Sequence, residues 1–160
     1  MTRALCPGSF DPPTLGHLDI IGCAANLFEQ VTVAVVVNPA KSGLFPVAER
    51  VSLLRRALTR WTNITVDSFD GLLVDYAAHI GASAIVKGIR DAADAGYEMQ
   101  MAQMNAHLAG VRTVFVPTDP AHAFVSSSLV KQVDRYGGDV SDLVPECVAE
   151  ALAQRHGHRE

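Results

Sequence analysis

The chain has 160 residues, which suits one compact domain spanning 1–160 and leaves little room for a second. Its net charge of −4 and pI near 5.8 argue against a broad basic face for duplex nucleic acid, while leaving room for a small anion held by local positive charge. No apolar run approaches the ~20 residues of a membrane span, and no apolar leader follows Met1, so the expectation is a cytoplasmic chain with no membrane and no nucleic-acid partner.

Residues 2–6 read as a first strand. Pro7 to His17 follow it; Gly8 lets backbone approach a ligand, Asp11-Pro12 forces a turn, and Thr14 is a good N-cap that places His17 in the first helical turn. Leu18, Ile21, Ala25 and Phe28 carry that helix at the right spacing. Residues 31–37 are nearly continuous valine, as in a strand covered on both faces. The loop Asn38-Pro39-Ala40-Lys41-Ser42-Gly43 comes next. Pro46 then opens a helix with Val51, Leu54, Leu58 and Trp61 on one stripe. Residues 64–69 make a third strand, leading to Asp70-Gly71-Leu72-Leu73. A helix over 72–80 stops at Gly81, a plausible C′ glycine.

A fourth strand over 84–86 leads to Lys87-Gly88-Ile89-Arg90-Asp91. The helix after it carries Tyr97, Met101, Met104 and Leu108 on one stripe and stops near Gly110; such a stripe is expected to fill core. A fifth strand, 113–116, leads through Pro117 to Phe124-Val125-Ser126-Ser127-Ser128. A helix over 127–136 ends at Gly137-Gly138, a last helix spans 145–155, and 155–160 are expected to fray. Strands alternating with helices predict an α/β fold: a Rossmann-like, doubly wound, five-stranded parallel sheet with helices on both faces and further C-terminal helices. Cys6, Cys23 and Cys147 are too scattered for a metal site or a disulfide framework and read as small apolar residues.

In such sheets ligands bind beyond the carboxyl ends of the strands. There is no Gly-Lys-Ser/Thr of a P-loop and no G-x-G-x-x-G, so neither common phosphate loop is present. Basic groups nevertheless gather at that edge. The chain has three lysines, and two of them, Lys41 and Lys87, lie just past strands two and four. His17 follows strand one, and three serines open the helix after strand five, where unpaired N–H groups favour an anion. The pattern fits a polyphosphate site.

Pro7-Gly8-Ser9-Phe10-Asp11-Pro12 with Thr14-x-Gly16-His17 resembles the signature of nucleotidyltransferases carrying a (His/Thr)-x-Gly-His motif, and Phe124 to Ser128 resembles their second signature. Asn38-Pro39-x-Lys41, Gly71-Leu72-Leu73-Val74, Val86-Lys87-Gly88-Ile89-Arg90 and Tyr97-Glu98-Met99-Gln100-Met101-Ala102-x-Met104-Asn105 are narrower. Together they resemble the bacterial phosphopantetheine adenylyltransferase family, with blocks spread from Pro7 to about Pro145.

The resemblance implies an enzyme that adenylylates 4′-phosphopantetheine from ATP, giving dephospho-coenzyme A and pyrophosphate by direct in-line attack. Ser9, Phe10, His17, Gly88, Ile89, Arg90, Glu98 and the segment His122, Ala123, Phe124, Val125, Ser126, Ser127 and Ser128 would hold ATP. Ser9, Lys41, Leu73 and Lys87 would hold the acceptor, with Met104 and Asn105 beside its arm. His17, Lys41 and Ser9 would act on the reacting phosphates. Mg²⁺ would arrive with ATP, held by phosphates and water. The family's usual assembly is a homohexamer. The sequence departs at His122-Ala123, where the family has Tyr-Ser or Trp-Ser, and at Ala95-Gly96, where it has Phe-Glu. A nicotinate mononucleotide adenylyltransferase, a glycerol-3-phosphate cytidylyltransferase and a non-catalytic ATP sensor remain the alternatives.

Overall fold

A computed structural model describes residues 1–40 and 42–157. In chain order its elements are β1 (Arg3–Gly8), α1 (Leu15–Leu27), β2 (Gln30–Val36), α2 (Val47–Ala57), β3 (Ile64–Phe69), α3 (Leu73–His79), β4 (Ala84–Ile89), α4 (Ala92–Ala109), β5 (Arg112–Pro117), α5 (Ser127–Arg135) and α6 (Glu146–Gly157). The five strands form one parallel sheet in the order β3-β2-β1-β4-β5. The chain lays two strands, β2 and β3, outward from β1, then returns through α3 to build on β1's other side. That reversal makes the gap between β1 and β4 the switch point of the sheet.

Valine and isoleucine decide which segments become central strands, because they suit a pleated surface buried on both sides. Val31, Val33, Val35 and Val86 face α1 and α2, packing on Ile21, Ala24, Val51 and Leu54. Leu5, Ala34 and Ile85 face the other way, onto α3 through Ala77. Each of the valine, leucine and isoleucine side chains contributes roughly 1.5–3 kcal/mol by leaving water. A further cluster around Phe45, Leu53, Val130, Val148 and Leu152 docks α5 and α6 beside α2.

β1 stays paired with β2 as far as Gly8 with Val35, but its ladder with β4 holds only at Ala4 with Ala84 and Leu5 with Ile85. Pro7 has no N–H to give to a ladder, and it sits just past the point where the two strands part. The parting opens the crevice that carries the site.

Five sequence expectations change. β1 continues through Pro7-Gly8 because β2 still pairs with it, and β4 continues to Ile89 alongside β5. α2 stops at Ala57, so Trp61 lies in the following turn, yet still packs on the core against α1. The Tyr97–Leu108 stripe is not core: Tyr97, Met101, Met104 and Leu108 are exposed, because α4 turns the neighbouring face, with Glu98, Ala102 and Asn105, towards the sheet. Residues 155–157 continue α6 rather than fray, with His156 bonded to Asp134 at 2.9 Å; 158–160 lie outside the described residues. Among the described residues no helix is long and apolar enough to cross a membrane.

Candidate active site

The crevice holds a cavity of about 370 Å³. Its walls come from the end of β1, the start of α1, the end of β4, the sheet-facing side of α4 and the start of α5. A smaller cavity of about 130 Å³ lies between β4, β5 and α4, and Lys87 and Glu98 line both.

His17 is fixed by its own helix cap. The Thr14 N–H donates to His17 Nδ1 at 3.0 Å, and the His17 N–H donates back to Thr14 Oγ1 at 3.3 Å, closing a capping box. Nδ1 is therefore an acceptor, so in the neutral ring the proton sits on Nε2. Phe10 meets the ring edge-on at a centroid distance of 4.9 Å. Burial, and then the positive charges of Lys87 and Arg90, push the imidazole down from 6.5 to about 4. Near neutral pH His17 is an uncharged, oriented donor lining the cavity.

The β1–α1 turn is held from beneath. Phe10 has φ of 49°, in the left-handed region, and is buried. Its ring lies 3.1 Å from where a side chain on Gly8 would begin, so any larger residue there would have to push the buried ring aside by a few tenths of an ångström. Asp11 is 5% exposed; its Oδ2 accepts from the Leu44 N–H at 2.7 Å and its Oδ1 from the Phe45 N–H at 2.9 Å. Buried Arg50 lies 3.6 Å from Asp11 Oδ1 and donates to the carbonyls of Phe45 at 2.7 Å and Ser9 at 3.2 Å. These bonds tie the Ser9 turn to the base of the loop after β2. Lys41 itself lies outside the described residues.

The opposite wall is made of ion pairs. Lys87 Nζ is 3.4 Å from Glu98 Oε1. Arg90 is bidentate on Asp94, with Nε 2.8 Å from Oδ2 and Nη2 3.3 Å from Oδ1. At the start of α5, Ser126 caps the helix by accepting from the Leu129 N–H, and Ser127 Oγ donates to the Pro12 carbonyl at 2.8 Å. Ser128 lines the cavity in the first turn, where backbone N–H groups and the helix dipole favour an anion.

Ser9, Phe10, His17, Gly88, Arg90, Glu98, Val125, Ser126, Ser127 and Ser128 thus meet at one cavity. Leu73 lines the smaller one, together with Asn105 and with Met101 rather than Met104, and Lys87 joins the two. Ile89, His122, Ala123 and Phe124 do not line either cavity. Phe124 is exposed, and His122 instead meets Asp19 on α1 at 2.5 Å, tying down the loop that leads to the serines. Sequence reasoning passed over Asp94, Asp19 and Arg50. Arg50 left a trace: it stands at helical spacing with the apolar residues Val47 and Leu54, a charge inside a buried stripe. Cys6 also lines the cavity, but burial raises its thiol to about 12, which makes it inert as a nucleophile.

A cytidylyltransferase-like family model matches residues 5–133. The chain is 55% identical to the phosphopantetheine adenylyltransferase of Streptomyces coelicolor, covering 99% of this chain and 100% of that one. It is 53% identical to the enzyme of the same name from Corynebacterium diphtheriae, covering 97% and 98%. Among solved structures it is similar to a provisionally assigned nicotinate-nucleotide adenylyltransferase from Vibrio parahaemolyticus, with a TM-score of 0.67, 17% identity and coverage of 96% and 99%. A lipopolysaccharide core biosynthesis protein from Thermoplasma volcanium follows, at a TM-score of 0.54, 19% identity and coverage of 74% and 97%. At those identities the two structures speak for the fold alone.

Proposed function

We propose that this chain, which belongs to the cytidylyltransferase-like family and within it to the phosphopantetheine adenylyltransferases, transfers the adenylyl group of ATP to 4′-phosphopantetheine. The products are dephospho-coenzyme A and pyrophosphate. Identity above one half along essentially the whole chain carries this reading.

The geometry supports a mechanism by positioning. The acceptor is a phosphate monoester and already nucleophilic, so no side chain has to act as a strong base. An acceptor phosphate oxygen bonds to the α-phosphorus as the bond from that phosphorus to the pyrophosphate oxygen breaks, and pyrophosphate leaves with the electron pair. ATP occupies the larger cavity, with a non-bridging α-phosphate oxygen at the Nε2–H of His17. A fixed neutral donor there strengthens its bond as charge builds on that oxygen. Arg90 and the first turn of α5, with Ser128, take the β- and γ-phosphates. Lys87 takes the acceptor phosphate at the junction of the two cavities, and the pantetheine arm fills the smaller one past Leu73 and Asn105. Ser9 stands between the two phosphates, and Lys41 is assigned, from its place in the loop after β2, to bridge them.

Mg²⁺ enters with ATP in this reading. Among the described residues no group of three ligating side chains could hold a metal, and the nearby carboxylates Asp94 and Glu98 already face Arg90 and Lys87. Phosphate oxygens and water would then be its ligands, as magnesium prefers, and when bound it would supply positive charge beside the departing pyrophosphate. The exposed Tyr97–Leu108 stripe supports a homo-oligomer, and the family's hexamer is the assembly assigned to it; light scattering should give the mass of six copies, and a monomer at micromolar concentration would end that assignment. The substrates and three free cysteines fit the cytoplasm.

Pyrophosphate release tests the reaction. ATP with phosphopantetheine should turn over, whereas ATP with nicotinate mononucleotide and CTP with glycerol 3-phosphate should not. Preference for either other pair, or ATP binding with no turnover on any acceptor, overturns the reading.

A further inference from the structure

The smaller cavity is lined by one hydroxyl that the protein itself leaves buried and unsatisfied, and by a carboxamide that makes no hydrogen bond among the described residues. Thr113 Oγ1 is buried without a hydrogen-bond partner, which makes it the one such side-chain atom among the described residues. Asn105 is 6% exposed, and its side chain makes no hydrogen bond among the described residues. Both line the cavity. A buried polar group without a partner costs about 1–3 kcal/mol, so a folded protein keeps one only where something else completes it.

The sheet sets where Thr113 points. It pairs with Ile85 across the parallel β4–β5 ladder, so the two side chains share the face covered by α3 and α4. Lys87 is two residues beyond Ile85 and therefore projects from that same face, about 6–7 Å further along the strand. Asn105 comes from the side of α4 that faces the sheet. A phosphate on Lys87 thus starts a path that runs inward along the sheet, between the Thr113 hydroxyl and the Asn105 amide. Leu73 and Met101 give the path apolar walls.

We infer that Thr113 is a specificity-determining contact for an amide of the acceptor's arm, with Asn105 as its counterpart across the cavity. A hydroxyl and a carboxamide can each donate and accept, so together they match the C=O and N–H of one secondary amide. The acceptor has such amides in the arm beyond its phosphate. A phosphate monoester without them leaves both groups unpaired, and this is the kind of mismatch by which a polar site rejects an analogue most strongly. The inference rests on the proposed reaction, because that reading puts the arm in this cavity.

Thr113→Val removes the hydroxyl at nearly constant volume, and Thr113→Ser keeps it. Three quantities decide the matter: the KM values for phosphopantetheine and for ATP, and the thermal midpoint of the free protein. Thr113→Val should raise the acceptor KM about five- to tenfold, the worth of one hydrogen bond, and leave the ATP KM unchanged. Its thermal midpoint should hold or rise, since an unsatisfied group has gone. Thr113→Ser should keep the wild-type acceptor KM. A simple alkyl phosphate, which has no amide, should be an equally poor acceptor for wild type and Thr113→Val. An unchanged acceptor KM in Thr113→Val sinks the contact and leaves the reaction standing, as does a joint rise of both KM values with a lower midpoint, which marks a packing role. Failure of the wild type to use phosphopantetheine at all sinks the reaction, and the contact with it.

Discussion

The two walls of the crevice are built on opposite principles. On the β1–α1 side three groups are tied by short-range bonds that a ligand has no reason to break: the capping box on His17, the Asp11 carboxylate on two backbone N–H groups, and Arg50 on the Ser9 carbonyl. On the β4–α4 side the cations are held by carboxylates, Arg90 by Asp94 and Lys87 by Glu98. Phosphate can replace a carboxylate on arginine or lysine with similar geometry. On the proposed reaction, the first wall would be set before substrate arrives, whereas the second would exchange partners when substrate binds. A donor that must strengthen its bond in the transition state gains from being immobile. Cations that must first capture and later release polyphosphate gain from having an alternative partner.

The fixed wall should break hardest. Asp11→Ala leaves Arg50 as a buried cation without its carboxylate and frees two backbone N–H groups. Urea unfolding should show a loss of about 3–5 kcal/mol. A loss below about 1 kcal/mol would mean that the Phe45 and Ser9 carbonyls satisfy Arg50 alone, and that the wall is not held in the way described.

His17 tests the same wall through rate. In His17→Ala, kcat should fall by about 10²–10³, because one oriented donor to the developing charge is worth roughly 2.7–4 kcal/mol, while the ATP KM moves much less. A fall in ATP affinity matching the fall in kcat would make His17 a binding group only. The same residue predicts an acid limb of stability. Unfolded, it titrates near 6.5; folded, near 4. Between those values the unfolded chain takes up a proton that the folded chain refuses, so stability is lost as pH falls from about 6.5 towards 4, and this group has no effect above that window. The full loss is on the order of 3 kcal/mol, and His17→Gln should remove that part of the slope. A slope identical to wild type would place the charge-sensitive group elsewhere.

What the sequence disclosed differs between the walls for a physical reason. The fixed wall was legible where its chemistry is local, with Thr14 as cap and His17 in the first turn, but not in Arg50, whose contacts to Asp11 and Ser9 are distant in the chain. The sheet was legible from its valine runs and from the alternation of strands with helices. The ion pairs needed three dimensions or a helix face, and that is where sequence reasoning fell short. α4 misled it most, since its apolar stripe looked like core while the polar side, Glu98 and Asn105, faces the sheet. Helical spacing identifies a face but does not say which face meets the rest of the chain and which is left exposed. Lys41 was legible only by its loop and remains outside the described residues.

The exchanging wall should respond more mildly, and in the opposite direction. Asp94→Ala removes the carboxylate that competes with ATP for Arg90. The pair is partly exposed, so the competition is worth only about 0.2–1 kcal/mol. The ATP KM should therefore drop by up to about fivefold, and the effect should shrink as salt is raised. A rise in KM would show that Asp94 orients Arg90 instead of competing for it, and the contrast between the walls would narrow to one of exposure.

The smallest effect concerns how much stiffness the exchanging wall tolerates. Gly96 lies one turn into α4, exposed, and a side chain added there would meet nothing within 4 Å. Glycine inside a helix gives up about 1 kcal/mol relative to alanine through backbone entropy, and no packing at this position offsets it. Gly96→Ala should accordingly stabilise the protein by about 0.5–1 kcal/mol, which for a chain of this length is a rise of roughly 1–4 °C in thermal midpoint. Amides around Glu98 should exchange more slowly. Asp94 and Glu98 line the larger cavity whereas Gly96 does not, so the added methyl touches neither ion pair. If the exchange of partners needs only side-chain rotation, the ATP KM stays where it was. If it needs the first turns of α4 to loosen, the stabilised variant binds ATP more weakly, by a factor that follows the gain in stability. The two results separate a wall that swaps partners on a rigid helix from one that opens to do so.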